Sequence, residues 1–169
     1  MSRTPKKRNL SAGYSGADAK TLSTTGLPLP HLADLKQLGL DMMDLAASYR
    51  QANDEASAQA TLQMAASLGQ GFRNASSEQV VSQLVGMQVE STALAAMSPS
   101  SPYGDSGQTV QDRINELGQQ RASLKELTQQ IGPIMETMSD QDWISFNDRL
   151  MIFGEEHAMR WLATKHGPK

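Results

Sequence analysis

Glu155, Glu156 and His157 form the one place in this chain where carboxylates and an imidazole are adjacent. Such a trio is raw material for a metal site or for general acid–base chemistry. Its spacing works against both uses. Consecutive helical residues point in directions about 100° apart, whereas metal ligands on a helix stand at i,i+3 or i,i+4, as in His-Glu-x-x-His. The trio supplies no such pair, and His31 and His166 lie near opposite ends of the sequence. There is no Gly-x-x-x-x-Gly-Lys-Ser/Thr phosphate loop, no Gly-x-Gly-x-x-Gly and no Gly-x-Ser-x-Gly. Cysteine is absent, which removes disulfides, thiolate catalysis and Cys-ligated metals. The expectation is that no residue is catalytic, cofactor-binding or metal-ligating. A small helical metal-binding protein or enzyme using Glu155, Glu156 and His157 is the alternative reading.

Two further features carry latent chemistry. Glu90 is a carboxylate inside the apolar stretch Val80–Met97, and it is expected to face a narrow wet strip. Met42, Met43, Met64, Met87 and Met97 have the sulfur of a soft-metal or peptide-binding surface, but methionine also fills cores, and core filling is the expectation.

The elements that must position these residues are helical. Aromatics make up 5% of the chain while Ala, Leu and Met are plentiful, a mixture that favours helix over sheet. From His31, the residues Leu32, Leu35, Leu38, Met42, Leu45, Ala46 and Tyr49 recur at three- and four-residue steps, which predicts a first amphipathic helix. Gly39 invites a kink in it. Asn53-Asp54 reads as a polar turn, with Asp54 able to cap the next helix. A second helix is predicted from about Glu55 to Leu68, with Gly69 and Gly71 ending it.

These two segments resemble a tetratricopeptide repeat. The matching positions are Leu45, Ala46 and Tyr49 on the first helix, Asn53 at the turn, and Ala58, Leu62 and Ala65 on the second. Met42 stands where that family carries Trp. Ala46 and Asn53 replace two family glycines, and no second copy follows at that period. The resemblance covers about residues 39–72 and implies a single tetratricopeptide-like helical hairpin, with protein–protein interaction as its use.

Ser76 and Gln79 have capping-box spacing ahead of a third helix. Its apolar residues, Val80 to Met97, go almost all the way round, as in a helix buried on several sides. Ser98–Gly107 is a loop by composition. Val110, Ile114, Leu117, Leu124, Leu127 and Ile131 mark a fourth helix with one narrow apolar stripe, interrupted by Arg121 and stopped by Gly132-Pro133. A fifth, capped by Ser139, carries Trp143, Phe146, Leu150, Met151, Ala158, Trp161 and Leu162, with Gly154 in its middle as a close contact or a kink.

At 169 residues the chain has the length of one domain. The expected organisation is a disordered polar tail or linker over 1–27, then a single all-helical domain over 28–166. The expected fold is all-α, a five-helix bundle or short right-handed α-α stack beginning with the tetratricopeptide-like hairpin. Arg3, Lys6, Lys7 and Arg8 are basic, while the remaining residues hold 11 basic and 18 acidic side chains, a net of −7. That balance disfavours nucleic acid as a partner. No window reaches the apolar length of a membrane span, and the basic start lacks the apolar core of a signal peptide, so the default compartment is cytoplasmic. The expected role is a non-catalytic interaction or scaffold module binding a protein or peptide partner, or itself as a homo-oligomer, with no cofactor.

Overall fold

The computed structural model describes residues 30–75, 79–104 and 107–167. The tail over 1–27 and the capping serine at 76 lie outside them. Six helices form among the described residues: α1 (Pro30–Gln51), α2 (Glu55–Ala75), α3 (Val80–Ala95), α4 (Val110–Glu136), α5 (Asp140–Phe153) and α6 (Glu155–His166). A two-residue pair of antiparallel strands, β1 (Pro102–Tyr103) and β2 (Gln108–Thr109), joins α3 to α4. The protein is all-α, and none of the described helices is long and apolar enough to cross a membrane. The chain divides into two compact units, one over Pro30–Lys125 and one that includes Glu126–Lys169.

The first unit is built on glycine. Gly69 and Gly71 do not end α2, which continues to Ala75. A Cβ placed on Gly69 would lie 2.6 Å from both the Glu90 nitrogen and the Gly86 carbonyl oxygen, and one on Gly86 would lie 2.7 Å from the Gly69 carbonyl oxygen. The two glycines therefore meet where the backbones of α2 and α3 cross. Gly39 has a similar role in α1, which runs through it without a break. A Cβ there would meet Val89 Cγ1 at 2.9 Å. Low propensity weakens a helix at Gly39 and Gly69, but the close approach of a neighbouring helix leaves no room for a side chain there.

Small and aliphatic side chains fill the rest of this interior: Ala46, Ala58, Leu62, Ala65, Ala66, Ala93 and Leu94 are buried. Met43, Tyr49, Ala96 and Met97 pack half-buried against the Ala46–Ala58–Leu62 cluster. Met87 is buried as core filler, whereas Met64 is exposed, as are Leu38 and Leu45 of the predicted first stripe. Asn53 turns the chain between α1 and α2 at φ 60°, a conformation that asparagine tolerates better than most side chains. Asp54 accepts from the Ser57 backbone N–H at 3.0 Å, capping α2 as expected. Arg50 ties this turn to α3 by donating to the Ala96 carbonyl at 2.8 Å. The start of α4 is a reciprocal cap: Thr109 Oγ1 accepts from the Asp112 N–H, and Asp112 Oδ2 accepts from the Thr109 N–H.

The second unit holds Ile131, Phe146, Ala158, Met159 and Leu162 in its interior. Here α4 passes Gly132-Pro133 and ends a turn later at Glu136. Thr137 closes it, its N–H and hydroxyl both donating to the Ile134 carbonyl. The expected fifth helix is two helices. Gly154, at φ 85° and ψ 171°, is both the C-cap of α5 and the N-cap of α6, in a region of backbone space that is essentially glycine's alone.

Asp142 staples this helical pair. Its side chain accepts from the Ser139 hydroxyl, Lys165 Nζ donates to it, and His166 Nε2 is 3.3 Å from it. Ser139 returns a cap by accepting from the Asp142 N–H at 3.2 Å. The first turn of α5 is thus held to the last turn of α6. The hydrogen bond from Lys165, then that from Ser139, holds the Asp142 carboxyl well below the usual carboxylate range.

Two predictions follow from this packing. Gly69→Ala should destabilise the protein by about 1–3 kcal/mol through overpacking. Gly71→Ala and Gly118→Ala, where a Cβ meets nothing within 4 Å, should instead stabilise by up to ~1 kcal/mol through helix propensity. Urea denaturation of the three variants separates contact glycines from tolerated ones.

Because Asp142 has a depressed folded pKa, its contribution is complete above the ordinary carboxylate value of ~3.9 and is lost as pH falls below it. Asp142→Asn should melt well below the wild type at pH 7. The gap should shrink steadily as both are melted from about pH 5 to about pH 2.

Candidate functional site

Helix α3 connects two features of the first unit. One is a buried ionic cluster centred on Glu90, and the other is an open apolar groove.

Glu90 does not face a wet strip. It is 0% exposed, because the Gly69–Gly86 crossing brings α2 directly over it. A carboxylate cannot stay charged in such a place without partners, and three elements supply them. Arg113 of α4 donates through Nε to Glu90 Oε1 at 2.8 Å. The Tyr103 hydroxyl of β1 donates to the same oxygen at 2.9 Å. Arg73 of α2 places its Nε 4.0 Å from Glu90 Oε2. Arg113 also reaches Glu116 at 2.7 Å, and Arg73 donates to Gln120 at 2.9 Å. Glu90 Oε2, Arg73 Nε and Arg113 Nη2 are buried without a hydrogen-bond partner.

The charges follow from these contacts. Burial works against the Arg113 cation, but its bonds to Glu90 and Glu116 outweigh that and raise its pKa. Burial, then the adjacent Glu90 carboxylate, pushes the Tyr103 phenol upward. The hydrogen bond from Arg113, then that from Gln108, lowers Glu116. Arg113, Tyr103 and Glu116 are thereby held in their ordinary states at neutral pH: guanidinium, phenol and carboxylate. The cluster links α2, α3, α4 and the β-hairpin. A buried pair of this kind contributes little net stability relative to apolar packing, yet removing one member strands the other at a cost of about 3–5 kcal/mol.

The groove opens on another side of α3. It has a volume of about 360 Å³ and is lined by α1, α3 and α4. Leu40, Val81, Leu84, Val85 and Val89 form its apolar surface, and the charged residues lining it among those described, Lys36 and Arg121, are both cationic. Leu40 and Val81 are each nearly half exposed. Arg121 extends from α4 as its position in the stripe suggests, but its Nη1 donates to Gln88 at 2.6 Å, along the groove wall.

The adjacent trio occupies the first turn of α6. Glu156 is bound by Arg160 at 2.8 Å. Glu155 is half-buried. His157 is exposed, with its ring 4.9 Å from that of Phe153. Among the described residues, no three His, Asp or Glu side chains are grouped so as to hold a metal ion.

Sequence reasoning missed the partners of Glu90. Two signals were present. Glu90 stands four residues after Gly86 in a helix apolar on all sides, and Arg113 interrupts the narrow stripe between Val110 and Ile114.

No family model matches the chain, and no curated protein or solved structure is significantly similar to it.

Two substitutions test the cluster. Arg113→Met should cost about 3–5 kcal/mol by stranding the Glu90 charge. Tyr103→Phe should cost about 1.5–3 kcal/mol, the worth of one hydrogen bond to a charged acceptor. Urea midpoints measure both, and equal effects would contradict the arrangement.

Proposed function

We propose that this protein is a non-catalytic helical interaction or scaffold module, whose groove between α1, α3 and α4 accepts the apolar stripe of a protein or peptide partner. The observation that carries this reading is the groove itself. It is an open apolar trough built on a continuous α-helix, with cationic residues as its charged lining among the described residues. Recognition of an amphipathic helix by such a trough needs apolar anchors at i, i+3/i+4 and i+7 on the ligand, with charge fixing its register. The Glu90 cluster gives the trough rigid walls, since it fixes α3 against α4. The likeness of the first two helices to a tetratricopeptide hairpin supports the same reading by analogy. The buried Ala46, Ala58, Leu62 and Ala65 occupy that motif's packing positions, while Leu45 at another of its positions remains exposed.

The test is a titration of the labelled protein with amphipathic helical peptides of acidic and basic flank, followed by backbone amide NMR. An acidic-flanked peptide should shift amides over Val81–Thr92 and around Lys36. Val81→Asp should abolish those shifts while leaving the helical circular dichroism unchanged. Shifts confined to other surfaces, or none for any peptide, would refute the reading.

A further inference from the structure

Helix α5 presents an apolar stripe of its own. Four residues of α5, Ile144, Asp148, Met151 and Ile152, stand at i, i+4, i+7 and i+8, which places them on one helical face. That face is open: Ile144 is 55% exposed, Met151 66% and Ile152 69%, and Asp148 is exposed in their midst. Three large aliphatic side chains on one short helix are more than the scattered exposure of an ordinary surface. The one cation on this stretch, Arg149, is turned away, its guanidinium lying 4.2 Å from the centre of the Trp161 ring. The stripe therefore presents apolar anchors around a single carboxylate. The groove presents the complement, an apolar trough whose charged lining among the described residues is Lys36 and Arg121.

Resting on the groove reading above, we infer that the occupant is a second copy of this chain, whose α5 stripe seats in the groove with Asp148 directed at Lys36 and Arg121. Stripe and groove are different surfaces, so the contact is heterologous. Each contact uses one groove and one stripe, so a dimer retains one unused groove and one unused stripe, and assembly proceeds head to tail, into open chains unless the rotation closes a ring. The complementarity of sign fixes which face enters the groove, because a basic stripe would be repelled.

Sedimentation velocity on the full chain tests this with two variants at exposed positions, Val81→Asp in the groove and Ile152→Asp in the stripe. Both positions are open enough to accept a carboxylate, and circular dichroism is the check that each variant keeps its helix. The wild type should sediment faster as its concentration is raised, and raised salt should weaken the association. Each variant alone should remain monomeric. An equimolar mixture should form a 1:1 complex and nothing larger, because one intact groove meets one intact stripe. The mixture staying monomeric, either variant alone still dimerising, or a wild type that is monomeric at every concentration would each overturn the inference. A monomeric wild type whose groove still binds the acidic-flanked peptide would refute the self-association and leave the groove reading standing.

Discussion

The backbone crossing at Gly69 and Gly86 is the constraint on which the first unit depends. Two helices approach this closely only where neither carries a side chain at the contact. That approach seals Glu90 from water. Once sealed, the carboxylate requires donors, and Arg113, Tyr103 and Arg73 come from three other segments to surround it. A crossing made of two missing side chains thereby dictates where α4 and the β-hairpin must lie. The ionic cluster contributes little net stability relative to apolar residues of the same volume, and it joins α4 and the β-hairpin to α3.

This arrangement explains how a helix as polar as α4 is held. Its narrow apolar stripe buries Val110, Leu117 and Leu124, and long side chains do the rest. Arg113 reaches Glu90, Gln120 receives Arg73, and Arg121 reaches Gln88. Held through extended side chains on one side of α3 while α1 approaches through Gly39 on another, α4 leaves a trough above the valines of α3. The groove is in this sense a by-product of unequal contact distances. Glycine brings one neighbour close, and arginine holds the other at arm's length.

The second unit solves a similar problem differently. It fastens α5 to α6 by charge at their open ends, with Asp142 gathering Ser139, Lys165 and His166, and it uses Gly154 to reverse direction without a loop. The inward face of α5 is satisfied by Phe146 and its neighbours, and its outward face is apolar without cover among the described residues.

The sequence by itself determined the helical character of the chain, most of its helices, the loop after α3, and the caps at Asp54 and Ser139. All of these rest on local rules: periodicity, composition and hydrogen bonds within one turn. It also showed that Glu155, Glu156 and His157 are badly spaced for convergence, since angles around a helix are local as well. Tertiary structure alone decided what the glycines do. Gly69 and Gly71 look like stops and Gly39 like a kink, yet α1 and α2 run through them: Gly69 lies against the α3 backbone and Gly39 against Val89, while Gly71 has open space beside it. Gly154 was the opposite case, a true break. Tertiary structure also decided the fate of Glu90. Its type and spacing suggested an outward carboxylate, and only the arrival of Arg113, 23 residues further on, could make burial tolerable. Long-range pairing of that kind leaves no periodic trace in a single sequence, and the candidate site, unlike the helices, is made of such pairings.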